Sequence, residues 1–217
     1  MGTTCSIVGC PELLATRMKR FASTATASLV VCLAVLLSWA FAPAPAQANH
    51  YDYLLPAPGS CGSAESGDMS KSYYEWTVAG MCLADHARAR VGRSRLIWPY
   101  ALQGSSYNKA ADIAVCQPDV NTSDVHYACG RPIDYWVKYF GYGNGCTSWG
   151  FKENVYVGAG VASYARSAVS WWLHSDRHRE ALLGPEFTGG VLSYSGPGTY
   201  RGTPNTRVWV YHFGYCR

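Results

Sequence analysis

AVSWWLHSDRHREALL (residues 168–183), followed after Gly184-Pro185 by TGGVLS (188–193) and RVWVYHFG (207–214), contains the change of period that decides the fold. Ahead of it, Val161, Tyr164, Ala165, Ala168, Val169 and Trp172 recur at intervals of three and four, which predicts a helix over 161–173. Ser175 and Asp176 are good N-caps, so one helix is expected to end near Leu173 and another to begin near Arg177. Past the Gly-Pro pair the pattern becomes that of strands, 188–193 and 207–214, separated by a Gly/Pro/Thr-rich turn over 195–205. In the last strand Val208, Val210 and His212 alternate with Trp209, Tyr211 and Phe213, giving it two faces.

Working outward, Trp76, Ala79, Leu83, His86, Ala87 and Arg90 predict a helix over 73–91, ended by Gly92. Residues 108–115 and 133–140 read as two shorter helices, the second stopped by Gly141. Residues 117–131 are polar and turn-forming, and 141–152 read as a Gly/Asn loop holding Cys146. Residues 49–72, rich in Pro, Gly, Ser and Tyr, read as an irregular arm tied down by Cys61. Helices first and strands later, with no internal repeat and no second boundary, predict one α+β domain over 73–217.

With 48% hydrophobic and 15% charged residues the composition is globular rather than disordered. Arg17, Lys19 and Arg20 face one acid, Glu12, before residue 49, so 15 basic and 13 acidic residues remain beyond it. That balance, with no basic block, argues against nucleic acid or an anionic membrane surface as partner. Arg88, Arg90, Arg93 and Arg95 are the densest basic cluster and read as the solvated end of a helix.

Lys19-Arg20 precede an uncharged run whose apolar heart is Leu29–Phe41, and APAPAQA (42–48) ends in small residues at Ala46 and Ala48. This is the pattern of an export signal cleaved after Ala48, with Met18 a candidate start; the apolar heart is shorter than the roughly 20 residues of a spanning helix. No stable membrane span is expected after cleavage, and the mature chain is expected outside the cell. It keeps Cys61, Cys82, Cys116, Cys129, Cys146 and Cys216. An even count in an exported chain reads as disulfides, of which about 15 connectivities are open. No C-x2-C pair supports a zinc knuckle.

His126, Glu153 and His178 are the residues to which chemistry can be assigned. Converging in one cleft, two imidazoles and a carboxylate would ligate a divalent metal such as zinc, or trade a proton with Glu153 fixing a histidine tautomer. His174 and His178 stand four apart, but Ser175 replaces the glutamate of a zincin helix. There is no G-x-S-x-G elbow and no phosphate-cradling loop, and no thiol is left over if all six cysteines pair.

The ordered set of motifs resembles the CAP (SCP/YkwD-like) superfamily, in its secreted bacterial, actinobacterial form. LADHARAR (83–90) stands where the first helix of such domains carries N-x-x-R, and HYACGRP (126–132) before Gly141-Tyr142 resembles SHxxCGRP…GY. KENVYVG (152–158) resembles GEN(I/V)xxG, and AVSWWLHSDRHREALL resembles AWMxSxxHRxNIL. TGGV (188–191) and VWVYHFG (208–214) resemble the closing xGVG…W(T/V)xxFG strands. The resemblance spans about residues 73–214.

It implies an α-β-α sandwich with a central cleft bearing two histidines and two acids. His126, Glu153 and His178 match three of those positions, and the fourth falls on Ser175. Lys152 replaces the Gly of GEN, and Ala181 the Asn of HRxNIL. The resemblance also implies a Cys129–Cys146 bridge. The superfamily is associated with sterol or lipid binding, cell-wall or defence roles and protein interaction, so the fold alone does not choose. The first expectation is therefore a secreted module binding a small molecule, lipid or extracellular protein through His126, Glu153, His178 and Ser175. It needs no cofactor, with zinc or another divalent ion as the candidate metal on His126, Glu153 and His178. The alternatives are a metal-dependent or Ser175/His178 hydrolase, and a stable extracellular domain without an active site.

Overall fold

A computed structural model describes residues 50–217; the export signal expected over 1–48 lies outside the described residues. In chain order the elements are α1 (Tyr73–Arg90), α2 (Tyr100–Cys116), α3 (Tyr135–Tyr139), β1 (Trp149–Ala159), α4 (Ala165–His174), α5 (Asp176–Leu183), β2 (Gly189–Tyr200) and β3 (Thr203–Cys216). Single 3-10 turns occupy Asp52–Leu54, Ser63–Ser66 and Gly160–Ser163, and a kinked 3-10 segment covers Ser123–Gly130.

The strands form one antiparallel sheet in the order β1-β3-β2. Alternation along β3 divides the side chains between two layers. Trp209, Tyr211 and Phe213 join Trp76, Leu83, Val169, Trp172 and Leu192 in the core beneath α1, α4 and α5. Val208 and Val210 face the other way, against Val155 of β1 and Ala110 and Ile113 of α2. The result is a helix–sheet–helix sandwich, and each of its large buried side chains stabilises it by about 1.5–3 kcal/mol. Two indoles of this core are satisfied: Trp172 Nε1 donates to Val155 O at 3.1 Å and Trp209 Nε1 to Ser163 O at 2.9 Å.

α1 starts at a capping box, with Ser72 Oγ accepting from Glu75 N and the Glu75 carboxylate accepting from Ser72 N. α2 begins eight residues earlier than the periodicity of 108–115 predicts. Gly104, Ser105 and Ser106 weaken the helical signal there, and packing overrides it. Gly104 is required because a Cβ would lie 2.6 Å from the Phe140 ring. β1 corrects the reading of 141–152 as loop: its strand begins at Trp149 and pairs with β3 over its whole length. β2 and β3 extend through most of the expected 195–205 turn, and the chain reverses between Tyr200 and Thr203.

Arg88 is a second correction. It is not at a solvated helix end but 1% exposed. Its guanidinium donates to Ser94 O, Leu182 O, Gly184 O and Phe187 O, locking the C-terminal end of α5 to α1. Arg90, Arg93 and Arg95 are exposed, as expected of such a cluster.

The six cysteines pair as Cys61–Cys82, Cys116–Cys129 and Cys146–Cys216. The Cys129–Cys146 bridge implied by the family resemblance is overturned. Cys129 lies beside the last residue of α2, with Cα atoms of the bridged pair 5.3 Å apart, and Cys146 lies beside the end of β3. Cys61–Cys82 ties the irregular arm to α1. Trypsin leaves the Arg131-Pro132 bond intact, so digestion without reduction is expected to release residues 110–138 as one internally bridged peptide. Finding that peptide linked to the one bearing Cys146 would contradict the pairing.

Candidate functional site

A cleft of about 890 Å3 runs along the outer edge of β1, which among the described residues pairs only with β3. His126 and Val125 of the 3-10 segment wall one side, and Trp171, Arg177, His178 and Glu180 the other. Glu153, Val155 and Tyr156 supply the strand edge between them.

Several contacts fix each functional side chain. The Cys116–Cys129 bridge anchors the segment bearing His126, and Lys109 Nζ donates to His126 O at 2.5 Å. Asp112 of α2 accepts from Arg131 Nη1 at 2.8 Å and Trp136 Nε1 at 2.6 Å, holding the following turn. Across the cleft Asn154 Nδ2 donates to His178 O at 2.9 Å, joining α5 to β1. Antiparallel pairing sets Glu153 opposite His212, so both side chains leave the sheet on the α2 side.

Glu153 is the centre of the site. Its side chain is fully buried; Oε1 lies 2.7 Å from His126 Nδ1 and Oε2 2.7 Å from His212 Nε2. Burial by itself pushes a carboxyl upward. Here the hydrogen bonds from His126 and His212, with the charges of His212 and Lys109, outweigh burial and hold the acid at about 2. Lys109, 2% exposed, is a second buried charge near Glu153; burial pushes its ammonium down and Glu153 opposes that.

His178 Nδ1 lies 2.6 Å from Ser175 Oγ, and its ring packs 4.7 Å from the exposed Trp171 indole. Burial, followed by the charges of His126 and Arg177, pushes the His178 imidazole down, toward the neutral form. The Nε2 atoms of His126 and His178 make no hydrogen bond among the described residues, and both rings line the cleft.

The structure thus brings His126, Glu153 and His178 to one cleft. Ser175, the fourth expected residue, does not line it; its hydroxyl supports the His178 ring. Glu153 is engaged through both oxygens, so it backs the histidines rather than standing open between them. Among the described residues no three His, Cys, Asp or Glu side chains form a ready metal-ligand set. Lys152 leaves Glu153 alone and pairs with Glu180 at 3.1 Å. His174 turns away to Ser170 O and Asp52, which disposes of the zincin spacing. His212, Ser105 and Lys109 are site residues that motif reading missed. The alternation of β3 put His212 on one face with Val208 and Val210, but only the strand register shows that Glu153 is its neighbour.

No family model matches the chain, and no curated protein does. Solved structures that resemble the chain include the following three. An extracellular protein containing an SCP domain, from Bacillus anthracis, is 18% identical over 67% of this chain and 42% of its own, with a TM-score of 0.48. An outer surface protein of Borrelia burgdorferi is 17% identical over 63% of this chain and 90% of its own, with a TM-score of 0.44. A cysteine-rich secretory protein of Staphylococcus aureus is 14% identical over 66% of this chain and 39% of its own, with a TM-score of 0.40. This chain therefore spans less than half of the first and third. At these scores the functional reading is left to the site itself.

The lowered pKa of Glu153 has a measurable consequence. A carboxyl lowered in the fold contributes stability that is complete above its unfolded value of 4.5 and is lost as pH falls toward about 2. In Glu153→Gln the denaturation midpoint should be lower than in the parent at pH 6 and fall less steeply between pH 4.5 and 2. Equal slopes in the two proteins would show that Glu153 is not the linked group.

Proposed function

We propose that this chain is an exported CAP-type domain that binds a ligand in the β1-edge cleft through His126 and His178. The observation that carries the reading is the 2.7 Å contact from His126 Nδ1 to the buried Glu153, across the cleft from His178. A buried carboxylate on Nδ1 turns the other ring nitrogen of His126 into an acceptor or metal ligand. The three disulfides and the ordered motifs support export and the family. No helix among the described residues is long and apolar enough to cross a membrane.

The donor set fits a divalent metal held by two imidazoles. His126 and His178 each keep Nε2 unengaged, Glu153 and Ser175 hold the opposite nitrogens, and the lowered His178 favours the neutral ligand form. Zinc suits imidazole, and bound there it would supply open coordination positions for water or a ligand. Glu153 then orients rather than ligates. The natural occupant is a small molecule, lipid or extracellular protein segment able to meet two imidazoles, the Trp171 ring and the Arg177 guanidinium.

A hydrolase reading draws on the 2.6 Å Ser175–His178 contact, which is a hydroxyl–imidazole pair. Ser175 does not line the cleft, so its hydroxyl serves as the orienter of Nδ1, and binding is the better-supported activity.

Zinc titration of residues 49–217 by calorimetry tests the proposal. One equivalent should bind near neutral pH. His178→Ala and His126→Ala should each lose more than the roughly 10–100-fold that a missing orienting partner costs. Unchanged affinity in both folded variants would remove the histidine pair as a metal site.

A further inference from the structure

Behind Glu153 lies a second buried pair that the cleft reading does not use. His212 is 0% exposed and bridges two layers of the fold. Its Nε2 faces Glu153 Oε2 on β1, and its Nδ1 lies 2.7 Å from Ser105 Oγ on α2. The Phe151 ring closes its side at 6.0 Å, edge to face. Ser105 Oγ is also 3.0 Å from Leu102 O.

The Glu153 carboxylate only accepts, so His212 Nε2 carries a proton and donates it. With the ring singly protonated, the Ser105 hydroxyl donates to Nδ1. With a second proton on Nδ1, the ring donates to Ser105 Oγ, and the hydroxyl turns to donate to Leu102 O. In both states every polar atom of the ring is paired, and Nε2–H stays on Glu153. The carboxylate keeps the proton on Nε2, and the hydroxyl, paired with Nδ1 in either state, holds the ring where Nε2–H meets Glu153. Lys109, on the same helix as Ser105, is the remaining charge facing the group, and it holds the His126 backbone.

We propose that Ser105 and His212 are positioning residues: the chain Ser105–His212–Glu153–His126 fixes the Nδ1–H tautomer of His126 and so presents its Nε2 lone pair to the cleft. The inference rests on His126 being the ligand-facing group of the proposed site. His212 occupies one oxygen of Glu153, which leaves the other as a directed acceptor for His126 Nδ1–H. Without His212 nothing holds Oε2, the carboxylate is free to rotate, and Oε1 is no longer aimed at His126 Nδ1–H, so neither ring tautomer of His126 is selected.

Ring-nitrogen NMR of the purified, metal-free protein at pH 7 tests this. Parent His126 should show one Nδ1–H tautomer, with widely separated Nδ1 and Nε2 shifts. His212→Leu and Ser105→Ala should bring the two shifts together, as the tautomers mix, more strongly in His212→Leu. His212→Gln, whose side-chain amide can still donate to Glu153, should restore most of the separation. Parent-like His126 shifts in both His212→Leu and Ser105→Ala would overturn the proposal. If His212→Leu does not fold, Ser105→Ala decides alone, with mixing upholding the chain and unchanged shifts refuting it. No metal enters the measurement, so failure of zinc binding and failure of the positioning chain are separate results.

Discussion

A buried carboxylate between two imidazoles is the constraint around which the rest of this structure is organised. An isolated carboxylate has no place in a protein interior; it must be paired and hydrogen-bonded, or it takes up a proton. Glu153 meets that condition with His126 on one oxygen, His212 on the other and the Lys109 ammonium nearby. Each partner comes from a different part of the chain, so the fold must close before the charge is satisfied. Removing one partner leaves the others uncompensated, which is why the group ties the α2 layer, β1, β3 and the 123–130 segment into one arrangement.

The remaining scaffold serves the same geometry. Cys116–Cys129 and Asp112 hold the segment that carries His126 against α2. On the opposite wall Asn154 pins α5 through the His178 carbonyl, and Arg88 clamps the end of that helix from beneath. The cleft lies between two independently anchored walls, and β1, as the edge strand, leaves it open. Function belongs at such an edge because the sheet's interior strand, β3, is covered on both faces.

Much of this was legible in the residues, for identifiable reasons. The helix of 73–90 has apolar residues at helical spacing and a clear stop at Gly92, and β3 alternates without interruption. The His126, Glu153 and His178 positions followed from ordered motifs, not from spacing, since residues so far apart in sequence converge only through the sheet. What escaped depends on tertiary context. β1 carries Gly and mixed polar residues because its two faces meet different layers and its edge lines a cleft, so it lacks a strand's usual signature. The first two turns of α2 hide behind Gly104, needed for Phe140, and Ser105, needed for His212. Arg88 looks solvated in sequence because three of its four acceptors are carbonyls more than 90 residues away. The cysteine pairing implied by resemblance failed because Cys129 turns back to α2, while Cys146 closes the far end of the sheet.

The side-chain carboxyl carbon of Glu153 reports directly whether this interior carboxylate is ionised. Its 13C shift, followed by NMR from pH 7 to pH 3, should remain at the ionised position at pH 4, where solvent-exposed glutamates are already taking up protons. A Glu153 resonance that moves together with the exposed glutamates, or that stands at the protonated position at pH 7, would contradict the buried imidazole–carboxylate–imidazole arrangement and the site built on it.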